Sequence, residues 1–296
     1  MPVEYLTNYE SWDFDTNELP LRSPLYSLLP IGIGTPAVES FTSYLTRLAA
    51  AHGVSVTTLI RYKIAPLFIE SSIATDLLSA YIIRILMDAS PKKPTTLLIQ
   101  TAGFWLDLTQ NASKLVCAVK TLTGRQDIHY TSLLSMQGWR LKFNNIFHFS
   151  QRWCPSCYSD WRHGGKPIYQ PLLWALEPVT VCPHHQRYLQ LRCFDCNGLQ
   201  PFLVLDKIQV GCCCICGAWL GQILESEANF KLPDLVWDLW FAQVLGKLLA
   251  ATPELVTNPT RKETRFRERP IFHSLNWFLR QCYQIGINPV EYLSNF

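Results

Sequence analysis

From Glu39 onward apolar positions recur at helical spacing. Phe41, Leu45, Leu48 and Ala49 share one face, with Arg47 and His52 on others. The pattern predicts a helix that ends at Gly53. Ser55 can cap a second helix carrying Val56, Leu59 and Ile60, with Arg61 and Lys63 also on it. A helix, a short turn with glycine and a second helix make a helix-turn-helix pattern. It reads either as a nucleic-acid contact or as an ordinary helical hairpin, and the pattern alone favours the hairpin. Residues 66–90 predict another helix, closed by Pro91 and Pro94. Residues 108–122 predict an amphipathic helix stopped by Thr123-Gly124, and 127–134 a shorter one. Residues 138–149 read as a loop followed by a strand.

Outside this stretch the pattern changes. Pro2, Pro20, Pro24, Pro30 and Pro36 punctuate residues 1–35, which read as an extended arm with Trp12, Phe14 and Tyr26 as anchors. Gly32-Ile33-Gly34 lacks a preceding strand and a third glycine, so it is a plain turn and not a phosphate loop. Residues 232–250 predict an amphipathic helix rich in Trp and Leu. A charged linker follows over 253–270, then a final helix over 271–284. The divisions are an arm (1–35), a helical domain (36–150), a cysteine-rich module (151–222) and a C-terminal helical region (223–296).

A chain of 296 residues, 48% hydrophobic, can bury a real core. The most apolar stretch, 232–251, is broken by Asp234, Asp238, Gln243 and Lys247, so no membrane span or membrane partner is expected. The acidic and polar residues over 1–10 do not form a secretory signal. The expected location is the bacterial cytoplasm, where thiols stay reduced and spaced cysteines point to metal before disulfides. A net charge of +3 permits a local basic face without demanding one.

The cysteines change the picture most. Cys154 and Cys157 form a C-x-x-C, Cys182 and His185 a C-x-x-H, and Cys193 with Cys196 and Cys213 with Cys216 two further C-x-x-C pairs. Chance would place roughly 0.4 such cysteine pairs in a chain of this composition; three are present, so they read as metal knuckles. The spacing lets two thiolates converge from one tight turn on a tetrahedral ion. Sequential pairing groups Cys154, Cys157, Cys182 and His185 in one site and Cys193, Cys196, Cys213 and Cys216 in the other. Crossed pairing would alternate the knuckles, and the separations favour the sequential arrangement. Cys212, Cys213 and Cys214 are adjacent, so Cys212 and Cys214 compete with Cys213 for one ligand position. His184 lies beside His185, and His163 reads as solvated. Eight donors fill two closed sites and no H-E-x-x-H appears, so two structural Zn2+ ions are expected, and no enzyme. The fold class is mainly α with small β zinc-ribbon-like fingers: an N-terminal helix-turn-helix domain, two tandem zinc sites and C-terminal helices.

Several of these segments resemble a known family. Leu29-Pro30 followed by Glu39-Ser40-Phe41-Thr42-Ser43-Tyr44-Leu45-Thr46-Arg47-Leu48-Ala49 looks like the TniQ signature, a proline-led arm before an E-S-x-x-S-x-L-x-R-x-A helix. Arg152-Trp153-Cys154-Pro155-Ser156-Cys157 resembles its first knuckle. Trp174 and Val179-Thr180-Val181-Cys182-Pro183-His184-His185 resemble the strand that brings in the Cys and His ligands. Arg192-Cys193-Phe194-Asp195-Cys196 and Cys213-Cys214-Ile215-Cys216-Gly217 resemble the second finger, so the likeness spans about residues 25–220.

The resemblance to the TniQ/TnsD family implies a target-selection protein of Tn7-like transposons, working with the AAA+ regulator TnsC and target DNA. Some members read an attachment site on DNA directly; others ride on a CRISPR effector complex with its guide RNA. TnsD-type readers carry long additional C-terminal regions. Here only 223–296 follow the fingers, which favours the CRISPR-associated adaptor, with self-association as a further expectation. Candidate nucleic-acid contacts are Arg61, Lys63, Arg125, Arg162, Lys166 and Arg192, basic positions beside turns and knuckles.

Overall fold

The computed structural model describes residues 22–70, 110–134, 147–148, 150–204, 209–222 and 236–257. Trp12 and Phe14, most of the helix expected over 66–90, the charged linker from 258 onward and the final helix lie outside the described residues, as does the 138–149 segment apart from Phe147 and His148.

The first predicted helix is α1 (Phe41–Ala51), capped by Ser40, whose hydroxyl accepts from Ser43 N–H. Gly53, at φ 66°, turns the chain. Ser55 then caps α2 (Val56–Leu59) through Thr58 N–H. Sequence periodicity separated this helix from the next one, beginning near Pro66. The structure instead joins them: a π-turn (Ile60–Ile64) runs on into α3 (Ala65–Glu70). Ala65 N–H donates to Ile60 O, five residues back. The wider turn lies just before Pro66, whose missing N–H and bulky ring disfavour a regular helix there. A helical hairpin is therefore present.

α4 (Gln110–Thr123) ends at Gly124, and the short helix expected after it tightens to a 3₁₀ turn (Ile128–Thr131). α4 packs on the π-turn and the 3₁₀ turn. The arm enters along this layer, with Leu25 N–H donating to Leu122 O at 2.8 Å. Leu25 is the buried anchor; Tyr26, expected in that role, is 60% exposed and stacks on His52.

The cysteine-rich segment begins with α5 (Pro155–His163), a helix the periodicity did not indicate. Pro155 supports it at the first position. A 3₁₀ turn (Leu172–Ala175) leads to a two-stranded hairpin of β1 (Val181–Cys182) and β2 (Arg187–Tyr188). The last described helix is α6 (Val236–Thr257), which packs on β1 and the Leu172–Ala175 turn. It runs through Pro253, where a linker was expected to begin.

One hydrophobic core joins all of these elements. It extends from Leu25 and α1 through Trp153, Tyr158 and Trp174 to Trp240 and Leu249 of α6. The helical domain and the cysteine-rich module are therefore fused across a shared interior. Backbone pairing reinforces the seam: Ser40 N–H donates to Gln170 O at 2.8 Å and Leu172 N–H to Val38 O at 2.7 Å. On the other side a Cβ added to Gly246 of α6 would lie 2.9 Å from Pro36 Cβ, so helix and arm meet at a residue with no side chain.

Candidate metal centres

Three knuckles have one backbone geometry. In each, the N–H four residues after the first cysteine donates back to that cysteine's carbonyl: Gln186 to Cys182, Asn197 to Cys193 and Gly217 to Cys213, at 2.8, 2.9 and 3.0 Å. Each donor residue is left-handed, with φ of 49°, 56° and 77°. Gln186 and Asn197 are the only non-glycine residues with positive φ among the described residues. The fourth knuckle differs. Tyr158 N–H bonds to Cys154 O at 3.2 Å and the chain continues into α5. Cys154 and Cys157 therefore sit at a helix N-terminus, where exposed N–H groups favour thiolate.

The knuckles converge in two sequential groups. The ligand atoms of Cys154, Cys157, Cys182 and His185 lie within 4.8 Å of one another, as do those of Cys193, Cys196, Cys213 and Cys216. In the first group Cys157 Sγ is 3.6 Å from Cys182 Sγ, and His185 Nδ1 is 3.6, 3.2 and 3.9 Å from the sulfurs of Cys154, Cys157 and Cys182. In the second, Cys193 to Cys216 is 3.7 Å and Cys196 to Cys213 is 3.6 Å. A tetrahedral ion with Zn–S of about 2.3 Å and Zn–N of about 2.0 Å has edges of about 3.8 Å (S to S) and 3.5 Å (S to N). The clusters match those edges, and the separations are far beyond the roughly 2.05 Å of a disulfide. Two groups of four donors that can each hold a metal ion, compatible with zinc, are thus preformed.

In each cluster one thiol is held as thiolate by its neighbours, while Cys154 and Cys157 in the first and Cys196 and Cys216 in the second are pushed up. Hydrogen bonds from the Cys154 and Cys157 thiols, against burial, push Cys182 down to about 3. Burial pushes the Cys213 thiol up. Backbone N–H groups of Cys216 and Ile215, the Cys196 thiol and the Gln200 amide outweigh it, and the group falls to about 6.

Outer partners orient the donors. His185 Nε2 lies 2.9 Å from Asp160 Oδ2, which leaves Nδ1 facing the sulfurs. Asp160 is one turn below Cys157 on α5. The signal available in the sequence was its i+3 spacing from Cys157. At the second cluster buried Gln200 donates to Cys213 Sγ at 3.2 Å and accepts from Cys214 N–H at 2.8 Å. Nothing in the spacing singled it out.

The sequence ambiguities resolve. Cys213 is in the second cluster; Cys212 pairs with Trp219 through its backbone, and Cys214 lies outside the cluster. His185 faces the first cluster, while His184 is exposed. His163 is exposed and shares a hydrogen bond with Ser159.

The six basic candidates do not gather into one site. Lys63 is exposed on the π-turn beside half-buried Arg61. Arg125 is held in a two-pronged ion pair by Asp127. Arg162 lies 4.7 Å over the Trp219 ring, Lys166 follows α5, and Arg192 donates to Asn197 O at 2.9 Å.

The signature helix has its own polar centre. Glu39 is fully buried and accepts from Arg47 at 2.6 Å, Ser43 Oγ at 2.9 Å and Ile31 N–H at 3.2 Å. Arg47 also donates to Leu29 O at 3.2 Å, and Ser43 Oγ accepts from Gln170 N–H at 3.0 Å. Glu, Ser and Arg in that spacing thus tie arm, α1 and the metal module together. Burial raises the Glu39 carboxyl above its ordinary value, with Arg47 opposing.

A family model described as TniQ matches residues 30–189. The chain belongs to the TniQ family. Membership makes it a target-selection protein of Tn7-like transposition. The match takes in the Glu39–Arg47 centre and the whole first cluster and ends at Leu189. The second cluster and α6 lie beyond it, although the resemblance had been read as far as residue 220. No curated protein matches the chain. No helix among the described residues of this TniQ protein is long and apolar enough to cross a membrane.

Proposed function

We propose that this TniQ protein is a non-catalytic adaptor in RNA-guided transposition. It joins a CRISPR effector with its guide RNA, and the target DNA, to the AAA+ regulator TnsC. Each cluster holds a structural Zn2+ ion with four protein donors, so no coordination position is left open for a substrate or water. The observation that carries the adaptor reading is the single core running from the arm through both clusters to α6. A body fused in this way can hold two partners at a fixed separation.

The second reading, direct recognition of an attachment site, draws on the α1–α2 hairpin and its exposed Lys63. Against it, two of the six basic candidates are already engaged within the chain: Arg125 is paired with Asp127 and Arg162 lies over the Trp219 ring. Affinity capture from cells carrying the transposon genes separates the two readings. The adaptor brings down the effector complex and TnsC and has little affinity for duplex DNA alone. Tight, sequence-dependent binding of the isolated protein to one duplex favours the second.

A further inference from the structure

The tip of the second finger carries chemistry that metal binding does not require. Its two knuckles follow one plan twenty residues apart. Cys193 N–H donates to Gly198 O and Cys213 N–H to Ala218 O, while Arg192 pairs with Leu199 and Cys212 with Trp219. The positions between the cysteines are free to vary. Among them Phe194 is 41% exposed and Ile215 is 63% exposed. Both are large apolar side chains standing in solvent on a small polar module.

Their surroundings make a platform. A Cβ on Gly198 would collide with Ile215 Cδ1 and lie 3.2 Å from Cys196 Sγ, so Ile215 lies across the glycine of the neighbouring knuckle. Arg192 donates to Asn197 O at 2.9 Å, which pins its guanidinium to that loop. Ile215 and the Arg192 guanidinium therefore both meet the Cys193–Gly198 loop, which also carries exposed Phe194. Among the described residues Arg192 makes no ion pair, so its charge remains available to a phosphate. Asp195, exposed on the same knuckle, is an acceptor suited to the N–H donors of a base edge.

We propose that this tip binds an unpaired nucleobase of single-stranded nucleic acid, with the ring on Phe194 and Ile215 and the adjoining phosphate on Arg192. Flat aromatic and guanidinium surfaces beside an aliphatic patch suit the π-face of any base. The surface lies beyond the residues that the family model matches. The proposal is independent of the adaptor reading, because its test needs no effector and no TnsC.

The test is fluorescence anisotropy of the zinc-loaded full chain with a labelled eight-nucleotide single strand, the same strand made abasic, and a duplex. The single strand binds more tightly than either control. Phe194→Ala weakens it by about tenfold. Phe194→Trp retains or improves binding, and Arg192→Ala weakens the normal and abasic strands alike. Unchanged zinc content in each variant shows that the finger is intact. Equal affinity for normal and abasic strands, or no effect of Phe194→Ala, overturns the proposal. So does a Phe194→Ala or Ile215→Ser variant that loses self-association in sedimentation while its oligonucleotide affinity stays the same, since the tip would then be a contact between copies of the chain.

Discussion

Asp160 Oδ2 stands 2.9 Å from His185 Nε2, on the side of the imidazole away from the Nδ1 that faces three sulfurs. Helix α5 thus supplies two thiols to the first cluster and also the carboxylate that sets the tautomer of its histidine. Asp160 is largely exposed, so its contribution falls at the lower end of such effects. Asp160→Asn should reduce zinc affinity at the first cluster by about tenfold. Competition with a chelating dye measures it, and an unchanged affinity would remove the carboxylate from the site.

Metal analysis should find two zinc ions per chain. A structural zinc contributes on the order of 10 kcal/mol to folding. Stripping it should abolish the near-ultraviolet circular dichroism of the ring cluster of Tyr158, Trp161, Trp174 and Trp219, which spans both fingers. A metal-free chain that keeps this signal would mean that the clusters are incidental to the fold.

The left-handed knuckle residues should respond in opposite directions. Around Gly217 a Cβ would meet open space, so Gly217→Ala costs only the backbone term, about 1–2 kcal/mol. Gln186→Gly relieves the same strain and should be neutral or stabilising, although glycine also loosens the unfolded chain. Thermal unfolding of the zinc-loaded variants reads both. A destabilised Gln186→Gly together with a neutral Gly217→Ala would contradict the shared geometry.

Arg47→Ala should cost about 3–5 kcal/mol near neutral pH, because it leaves Glu39 buried and unpaired. The carboxyl is already raised above 4.5 by burial, and loss of Arg47 raises it further. For a raised folded pKa the stability contribution is complete below the unfolded value and is lost as pH rises through the folded one. The variant should therefore lose more stability than the parent as pH rises from 4.5. Denaturant unfolding at both ends of that window tests this, and a cost independent of pH would show that Glu39 is not the buried charge.

The eight metal donors were legible because their geometry is local: a knuckle is five residues long, and its spacing is its structure. α1 and the Ser55 cap of α2 were legible for the same reason. Asp160 and Gln200 were not, since each meets its partner across 25 and 13 residues of chain through a fold that the spacing does not reveal. α5 is short and carries too few apolar repeats to register as a helix. The π-turn at Ile60–Ile64 changes the helical register without any change in composition. Glu39, Ser43 and Arg47 were recognisable as a signature. Their role as a buried seam emerged only when Gln170 and the Leu29–Ile31 arm were placed beside them.

Mapping insertion sites in cells that carry the transposon tests the central claim most directly. With the chain present and the guide RNA reprogrammed, insertions should follow the guide to each new target, and deleting the chain should abolish them. Insertions that stay at one fixed attachment site whatever the guide, while still requiring the chain, would contradict the adaptor role.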